Sequence, residues 1–427
     1  MANAAAAAMS MSMSMSMSSL LVLLFLAGGV VSALGLGINY GQVANNLPHP
    51  QSVVPLVKSI GATRVKLYDA DPAVLKAFSN TGVEFIVGIG NECLSKMCDP
   101  NQALSWVKSN VLCYLPSTKI TTIAVGNEVL TYNDTTLSSN LLPAMQNIQT
   151  ALISLNLHNQ VSVTTAHNFG ILQLSYPPSA GTFRRELTQT LSCILDFHSK
   201  FGSPFLINAY PYFAYKTNNN ISNKQLLDFA LFQGDGIVDP QSGLHYDGMF
   251  HAQIDAAYTA IGKLGYKNVC LQVSETGWPS KGDADEPGAS PEYARKYNAN
   301  VLKLISQKKG TPMRPNLDLN VYIFALFNEN QKPGPTSERN FGLFKPDGSP
   351  VYDLGFKVTG GLGSSSSTNN TSGSNGGGAI TMPPAVGSSD GYLSINDAVR
   401  LPSQRAVSFL WLMVWVILAF HFAVAYN

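Results

Sequence analysis

Two carboxylates stand at the ends of short apolar runs. Val269 to Val273 is rich in β-branched residues, Glu275 follows it, and Gly277 and Pro279 stop the strand from continuing. Ile123-Ala124-Val125-Gly126-Asn127-Glu128 is built in the same way. Trp278, three residues past Glu275, would offer a flat apolar ring beside it. Two carboxyls and an aromatic face are what cleavage of a glycosidic bond needs. One carboxyl gives and takes a proton, the other attacks, and a pyranose stacks on the ring. The Glu275 stretch alone also fits a turn-capping Glu with a half-buried Trp. It is the repetition on one chain that points to a working pair.

Such a pair works only if the fold brings it together. Short β-branched or apolar runs occur at Leu36 to Tyr40, Thr63 to Tyr68, Glu84 to Ile89, Ile120 to Val125, Val161 to Ala166, Phe205 to Ala209, Val269 to Val273 and Val321 to Phe324. Helical patterns lie between them, as at Asn140 to Leu155 and Pro291 to Ile305. Eight such units predict an α/β fold, a closed (β/α)8 TIM barrel forming one catalytic domain over residues 34–358. The stretch 211–268 holds more than one helix and reads as a local elaboration.

Active sites of such barrels gather at the C-terminal ends of the strands. Polar and aromatic residues recur there: Asn39, Tyr40, Tyr68, Asp69, Glu128, His167, Asn168, Tyr210, Glu275, Asn328 and Glu329. Asp71 ahead of Pro72 reads as a helix N-cap instead. His167 reads as a hydrogen-bonding wall residue, because the carboxylates already supply acid and base.

Composition narrows the class. Charged residues make up 12% of the 427, against about 25% in an average soluble protein. With a net charge of +1, nothing recruits nucleic acid or an acidic membrane face. A polar, uncharged surface suits a secreted monomer that handles a neutral polymer. The five cysteines show no metal-ligand spacing, so no metal and no cofactor is expected. Cys93 and Cys98 are the nearest pair for a local disulfide.

Residues 1–33 read as a signal peptide cleaved after Ala33, with an apolar stretch from Leu20 to Ala27 behind a Met-Ser repeat. Residues 359–405 turn to Gly, Ser, Thr and Asn and read as a disordered stalk. Residues 406–427 form an apolar tail long enough to span a bilayer. Arg400 and Arg405 precede it, and no Lys or Arg follows to hold a cytoplasmic end. This favours a glycosylphosphatidylinositol anchor that replaces the tail, attached at Asn396 or at Ser388 or Ser389. The barrel would then sit at the outer face of the plasma membrane, towards the cell wall. Asn133, Asn220, Asn369 and Asn370 are N-glycosylation acceptors.

Six stretches carry a resemblance: Gly37-Ile38-Asn39-Tyr40-Gly41, Val125-Gly126-Asn127-Glu128, Ser175-Tyr176-Pro177-Pro178-Ser179, Asn208-Ala209-Tyr210-Pro211-Tyr212, Ser274-Glu275-Thr276-Gly277-Trp278-Pro279-Ser280 and Phe327-Asn328-Glu329-Asn330-Gln331-Lys332. In order and spacing, from Leu34 to Asp353, the chain resembles the plant glucan endo-1,3-β-glucosidases of glycoside hydrolase family 17. The resemblance implies that Glu128 is the general acid and base and Glu275 the nucleophile. It implies that Glu329, Lys332 and Glu338 form a charged group supporting the site, and that Tyr210 and Trp278 are cleft aromatics. Tyr40, Tyr68 and Asn127 complete the expected substrate contacts, Asn127 through the sugar 2-hydroxyl. Glu92, outside any motif, is expected to be structural or to face solvent.

The implied substrate is a β-1,3-glucan of the callose type, cut internally with retention. A mixed-linkage β-1,3-1,4-glucanase and a non-catalytic glucan-binding wall protein are the alternatives. Retention requires carboxyls ~5 to 5.5 Å apart. If Tyr40, Tyr68, Tyr210, Trp278 and Phe344 line an open groove and not the core, the enzyme should hold several sugar units and cut internally.

Overall fold

Each of the eight apolar runs forms a strand. In the computed structural model, which describes residues 35–217 and 224–355, the strands are β1 (Leu36–Asn39), β2 (Arg64–Lys66), β3 (Glu84–Ile89), β4 (Lys119–Asn127), β5 (Ser162–Asn168), β6 (Phe205–Asn208), β7 (Leu271–Thr276) and β8 (Val321–Ile323). All pair in parallel, and β1 pairs with both β2 and β8, so the barrel closes. Parallel strands are covered on both faces, which is why they read as near-continuous apolar runs. The signal segment, the stalk, the apolar tail and Asn220, Asn369, Asn370, Ser388, Ser389 and Asn396 lie outside the described residues.

Helix starts follow local chemistry. The side chains of Asp71, Asp99, Asp134 and Ser290 accept hydrogen bonds from the first-turn N–H groups of the helices Pro72–Ala77, Pro100–Asn110, Thr135–Ser154 and Pro291–Ser306. In three of them proline stands in the first turn, where its missing N–H costs nothing. The stretch 211–268 supplies the helices Pro211–Lys216, Lys224–Ala230 and Met249–Lys263, together with a hairpin of Ile237–Val238 and His245–Tyr246. Asn133, at the turn before Thr135–Ser154, is exposed.

Burial corrects several expectations. Trp278 is 0% exposed, with its ring centroid 5.2 Å from Tyr212, 5.5 Å from Tyr297 and 6.1 Å from Tyr215. Its indole N–H donates to the Gly288 carbonyl at 2.8 Å. It is therefore a core residue that pins the loop after β7 and cannot be a stacking platform. Tyr40, Tyr210 and Phe344 are buried as well, Tyr40 edge-on to Phe327 at 5.9 Å, and of the five aromatics expected to line a groove Tyr68 alone is partly exposed.

His167 is not a hydrogen-bonding wall residue. It lies on the outer side of β5, stacked 4.8 Å from Phe205, and neither ring nitrogen has a hydrogen-bond partner. Burial, and then the neighbouring His198, hold it neutral with a pKa of about 3. Cys93 and Cys98 are not bonded, and all five thiols are free. The helix Leu94–Met97 separates the two sulfurs, and Cys98 Sγ faces the Leu94 and Asn140 carbonyls.

If Trp278 is core, Trp278→Ala should lower the unfolding free energy by about 3 to 5 kcal/mol. Chemical denaturation measures this, and a loss under about 1 kcal/mol would return the ring to the surface.

Candidate active site

Alternation along the barrel strands places a polar cluster inside the C-terminal rim. Glu275, on β7, is 6% exposed. Its Oε1 accepts from Lys66 Nζ at 2.7 Å and from the Tyr68 hydroxyl at 2.8 Å, and its Oε2 accepts from the Tyr210 hydroxyl at 2.8 Å. Lys66 comes from β2, and its ammonium also lies 4.0 Å from the centroid of the Tyr68 ring. Burial alone would raise the Glu275 pKa. The Lys66 charge and hydrogen bond, the Tyr68 hydroxyl and the Lys332 charge outweigh it, and hold the carboxyl below its ordinary value.

Glu128 follows β4 in the left-handed backbone region, at φ 56° and ψ 25°. For a residue other than glycine this conformation stores strain of the kind found at functional sites. Gly126, two residues before, is also left-handed at φ 68°. The bend is held by Asn91, whose Oδ1 accepts from Asn127 N at 2.8 Å and whose Nδ2 donates to Asn127 O at 3.0 Å. Glu128 N donates to the Ala166 carbonyl on β5.

The Glu128 side chain meets two amides. Asn208 Nδ2 donates to its Oε1 at 2.7 Å and Asn168 Nδ2 to its Oε2 at 3.1 Å. Asn168 and Asn208 are register partners on β5 and β6, and Asn208 is the register partner of Glu275 on β7. Asn208 Oδ1 in turn accepts from Ser274 Oγ at 2.6 Å. A chain of amides thus joins the surroundings of the two carboxylates. Among the described residues Glu128 has no basic partner in hydrogen-bond contact, and burial and then the Glu275 charge push its pKa up, against smaller opposing effects of Asn208, Asn168 and Lys66.

Around this pair, Lys332 and Glu338 form an ion pair at 3.2 Å. The Lys332 ammonium lies 4.1 Å from the Phe324 ring centroid. Glu329 is buried and accepts from Val43 N at 2.8 Å. Its carboxylate lies so close to Gly41 that a Cβ there would fall 2.5 Å from it, which explains a glycine at that position. Asn127 Oδ1 is buried without a protein hydrogen-bond partner. Glu92 is exposed, as its lack of motif context suggested.

Of the expected site residues, Glu128, Glu275, Tyr68 and Tyr210 are joined by direct or bridged contacts. Glu329, Lys332 and Glu338 cluster beside them, whereas Trp278 and Tyr40 are packed beneath. Sequence reading passed over Lys66 and Asn91, and placed Asn208 only within a motif. A lysine inside the apolar run Val65 to Leu67 was the available signal. Tyr132 was also passed over: it is half-buried, and burial and then the Glu128 charge raise its phenol pKa.

Residues 36–356 match the family Glycosyl hydrolases family 17. The chain is 60% identical over 326 residues to glucan endo-1,3-beta-glucosidase 11 of Arabidopsis thaliana, covering 76% of each chain. It is 46% identical over 322 residues to glucan endo-1,3-beta-D-glucosidase of Olea europaea, covering 75% of this chain and 69% of that one. Among solved structures it is similar to CJP38, a beta-1,3-glucanase and allergen of Cryptomeria japonica pollen. That likeness has a TM-score of 0.71 and 42% identity, and covers 76% of this chain and 99% of the other. A closed eight-stranded barrel with two rim carboxylates in opposite electrostatic settings accords with these likenesses, and the chain belongs to glycosyl hydrolases family 17.

Proposed function

We infer that this chain is a retaining endo-hydrolase of (1→3)-β-glucosidic linkages, with Glu275 as nucleophile and Glu128 as acid and then base. The observation that carries this reading is the opposite tuning of two carboxyls that share Asn208 and its neighbours. One is held ionised by Lys66, and the other is kept towards its protonated form by burial and by the first. Both named relatives and the pollen protein carry the β-1,3 linkage in their names, which supports the choice of substrate.

In the first step a Glu275 oxygen bonds to the anomeric carbon while the bond to the leaving sugar oxygen breaks, and Glu128 gives that oxygen its proton. In the second step water attacks the glycosyl ester, Glu128 takes its proton, and Glu275 leaves as carboxylate. Two inversions give a β-anomer product. The unpartnered Asn127 Oδ1 suits a 2-hydroxyl that donates to it more strongly as the ring flattens towards the transition state.

The β-anomer should appear first by NMR during hydrolysis of a soluble (1→3)-β-glucan. An α-anomer would overturn retention. A panel of (1→3), mixed-linkage and (1→4) glucans separates the linkage readings, and oligosaccharides should precede glucose if cleavage is internal. Glu275→Gln should abolish turnover.

The pH profile has a definite sign. In the free enzyme, kcat/KM needs Glu275 ionised and Glu128 protonated, so the acid limb reports the former and the alkaline limb the latter. Lys66 lowers both pKa values. Lys66→Met should therefore move both limbs to higher pH and lower kcat/KM by roughly 10²-fold. An unmoved acid limb would show that Lys66 does not tune the nucleophile.

We also propose that the enzyme acts as a monomer at the outer face of the plasma membrane, held by a glycolipid. Small residues around Asn396, Arg400 and Arg405 ahead of the apolar tail, and the Ser/Gly stretch before them, support this. A phosphatidylinositol-specific phospholipase should release activity from membranes. Retention in the membrane with the Ala406 to Tyr426 peptide still present would mean a transmembrane tail.

A further inference from the structure

Outside the cleft, one more carboxylate is completely buried at the rim. Glu286 lies in the loop after β7, its side chain 0% exposed and its partner Lys216 22% exposed. Four donors converge on it. Lys216 Nζ at 2.6 Å and Ser337 Oγ at 2.5 Å meet Oε1, while Asp283 N at 3.0 Å and Ser337 N at 2.9 Å meet Oε2. Three chain segments are joined at this point: the loop after β7, the helix after β6 and the turn Thr336–Arg339 after β8.

Each partner leads back to the nucleophile. Lys216 ends the helix Pro211–Lys216, whose N-cap is Tyr210, a direct donor to Glu275 Oε2. Ser337 precedes Glu338, the ion-pair partner of Lys332. The same turn holds the Lys332 backbone, because Arg339 Nη1 donates to the Lys332 carbonyl at 3.1 Å and to the Gly334 carbonyl at 2.8 Å. Exposed Asp283 repeats the tie on the outside, accepting from Thr336 N at 2.8 Å and Thr336 Oγ1 at 2.5 Å.

We propose that Glu286 is a positioning residue for the nucleophile, fixing through Lys216 and Ser337 the two groups, Tyr210 and the Lys332–Glu338 pair, that bear on Glu275. A buried anion with two donors on each oxygen sets the spacing between the β6 and β8 loops, in a way that apolar packing would not. The charged and titratable groups facing it are Lys216, Asp283 and Tyr212. Burial and then the Glu286 charge push the Tyr212 phenol up.

The inference rests on the hydrolase reading, so the wild-type chain must first cleave a soluble (1→3)-β-glucan; failure there is failure of the function, not of the latch. Glu286→Gln preserves shape, but its NH2 faces two donors whichever way the amide is turned. With Lys332 loosened from Glu275, the acid limb of kcat/KM should rise by about 0.5 pH unit or more, and kcat should fall roughly 10- to 100-fold. A variant with a lowered Tm but an unmoved acid limb would make Glu286 merely structural and overturn the proposal. If Glu286→Gln does not fold, Lys216→Met carries the test from the more exposed side. A rise of its acid limb supports the latch, and an unmoved limb with kcat within about twofold of wild type overturns it.

Discussion

The barrel is built around one buried ion pair. Lys66 is 1% exposed and Glu275 6%, and they meet at 2.7 Å inside the C-terminal rim. Leaving either charge alone there would cost roughly 3 to 5 kcal/mol. The pair is therefore completed on all sides. Tyr68 and Tyr210 donate to the carboxylate, and the Tyr68 ring faces the ammonium. Asn39 Nδ2 ties β1 to the Ser274 carbonyl at 3.1 Å. Strands β1, β2, β6 and β7 each contribute to one carboxylate or its support.

Glu128 obeys the opposite rule. Among the described residues it receives two neutral amides and no basic side chain in contact, so burial and then the neighbouring charge push its pKa up. Its left-handed backbone is a second cost, borne by the Asn91 clamp and by the Glu128 N–H bond to Ala166. The two costs have one origin: a side chain aimed into the rim from a bend that ends its strand, where solvation is poor and helical or extended geometry will not point it inward.

Much of this was legible in the chain. Parallel strands buried on both faces leave long apolar runs, and Asp-Pro and Ser-Pro mark helix starts, so element order could be read directly. Strand ends could not. The run ending at Val273 continues through Glu275 to Thr276, because barrel pairing sustains a polar segment whose side chains are satisfied inside. Lys66 was hidden for a related reason: a lysine in a strand gives no sign of its partner 209 residues away. Trp278 was misread because motif proximity to Glu275 says nothing about which face of the turn a ring takes. Here the indole N–H found the Gly288 carbonyl, and the ring went inward.

Buried charge itself locates function on this chain. Only 12% of its residues are charged, and among the described residues the buried Asp, Glu and Lys side chains are Lys66, Asp239, Asp255, Glu275, Glu286 and Glu329. Four of these, Lys66, Glu275, Glu286 and Glu329, stand at the rim formed by the ends of β2, β7 and β8. Each buried charge opposes folding unless it is fully partnered, so such groups persist where their field is used. A neutral glucan offers no charge to attract, which leaves the rim charges to act on one another. Lys66 and Lys332 draw the Glu275 pKa down, burial and then Glu275 push the Glu128 pKa up, and Glu338 holds Lys332.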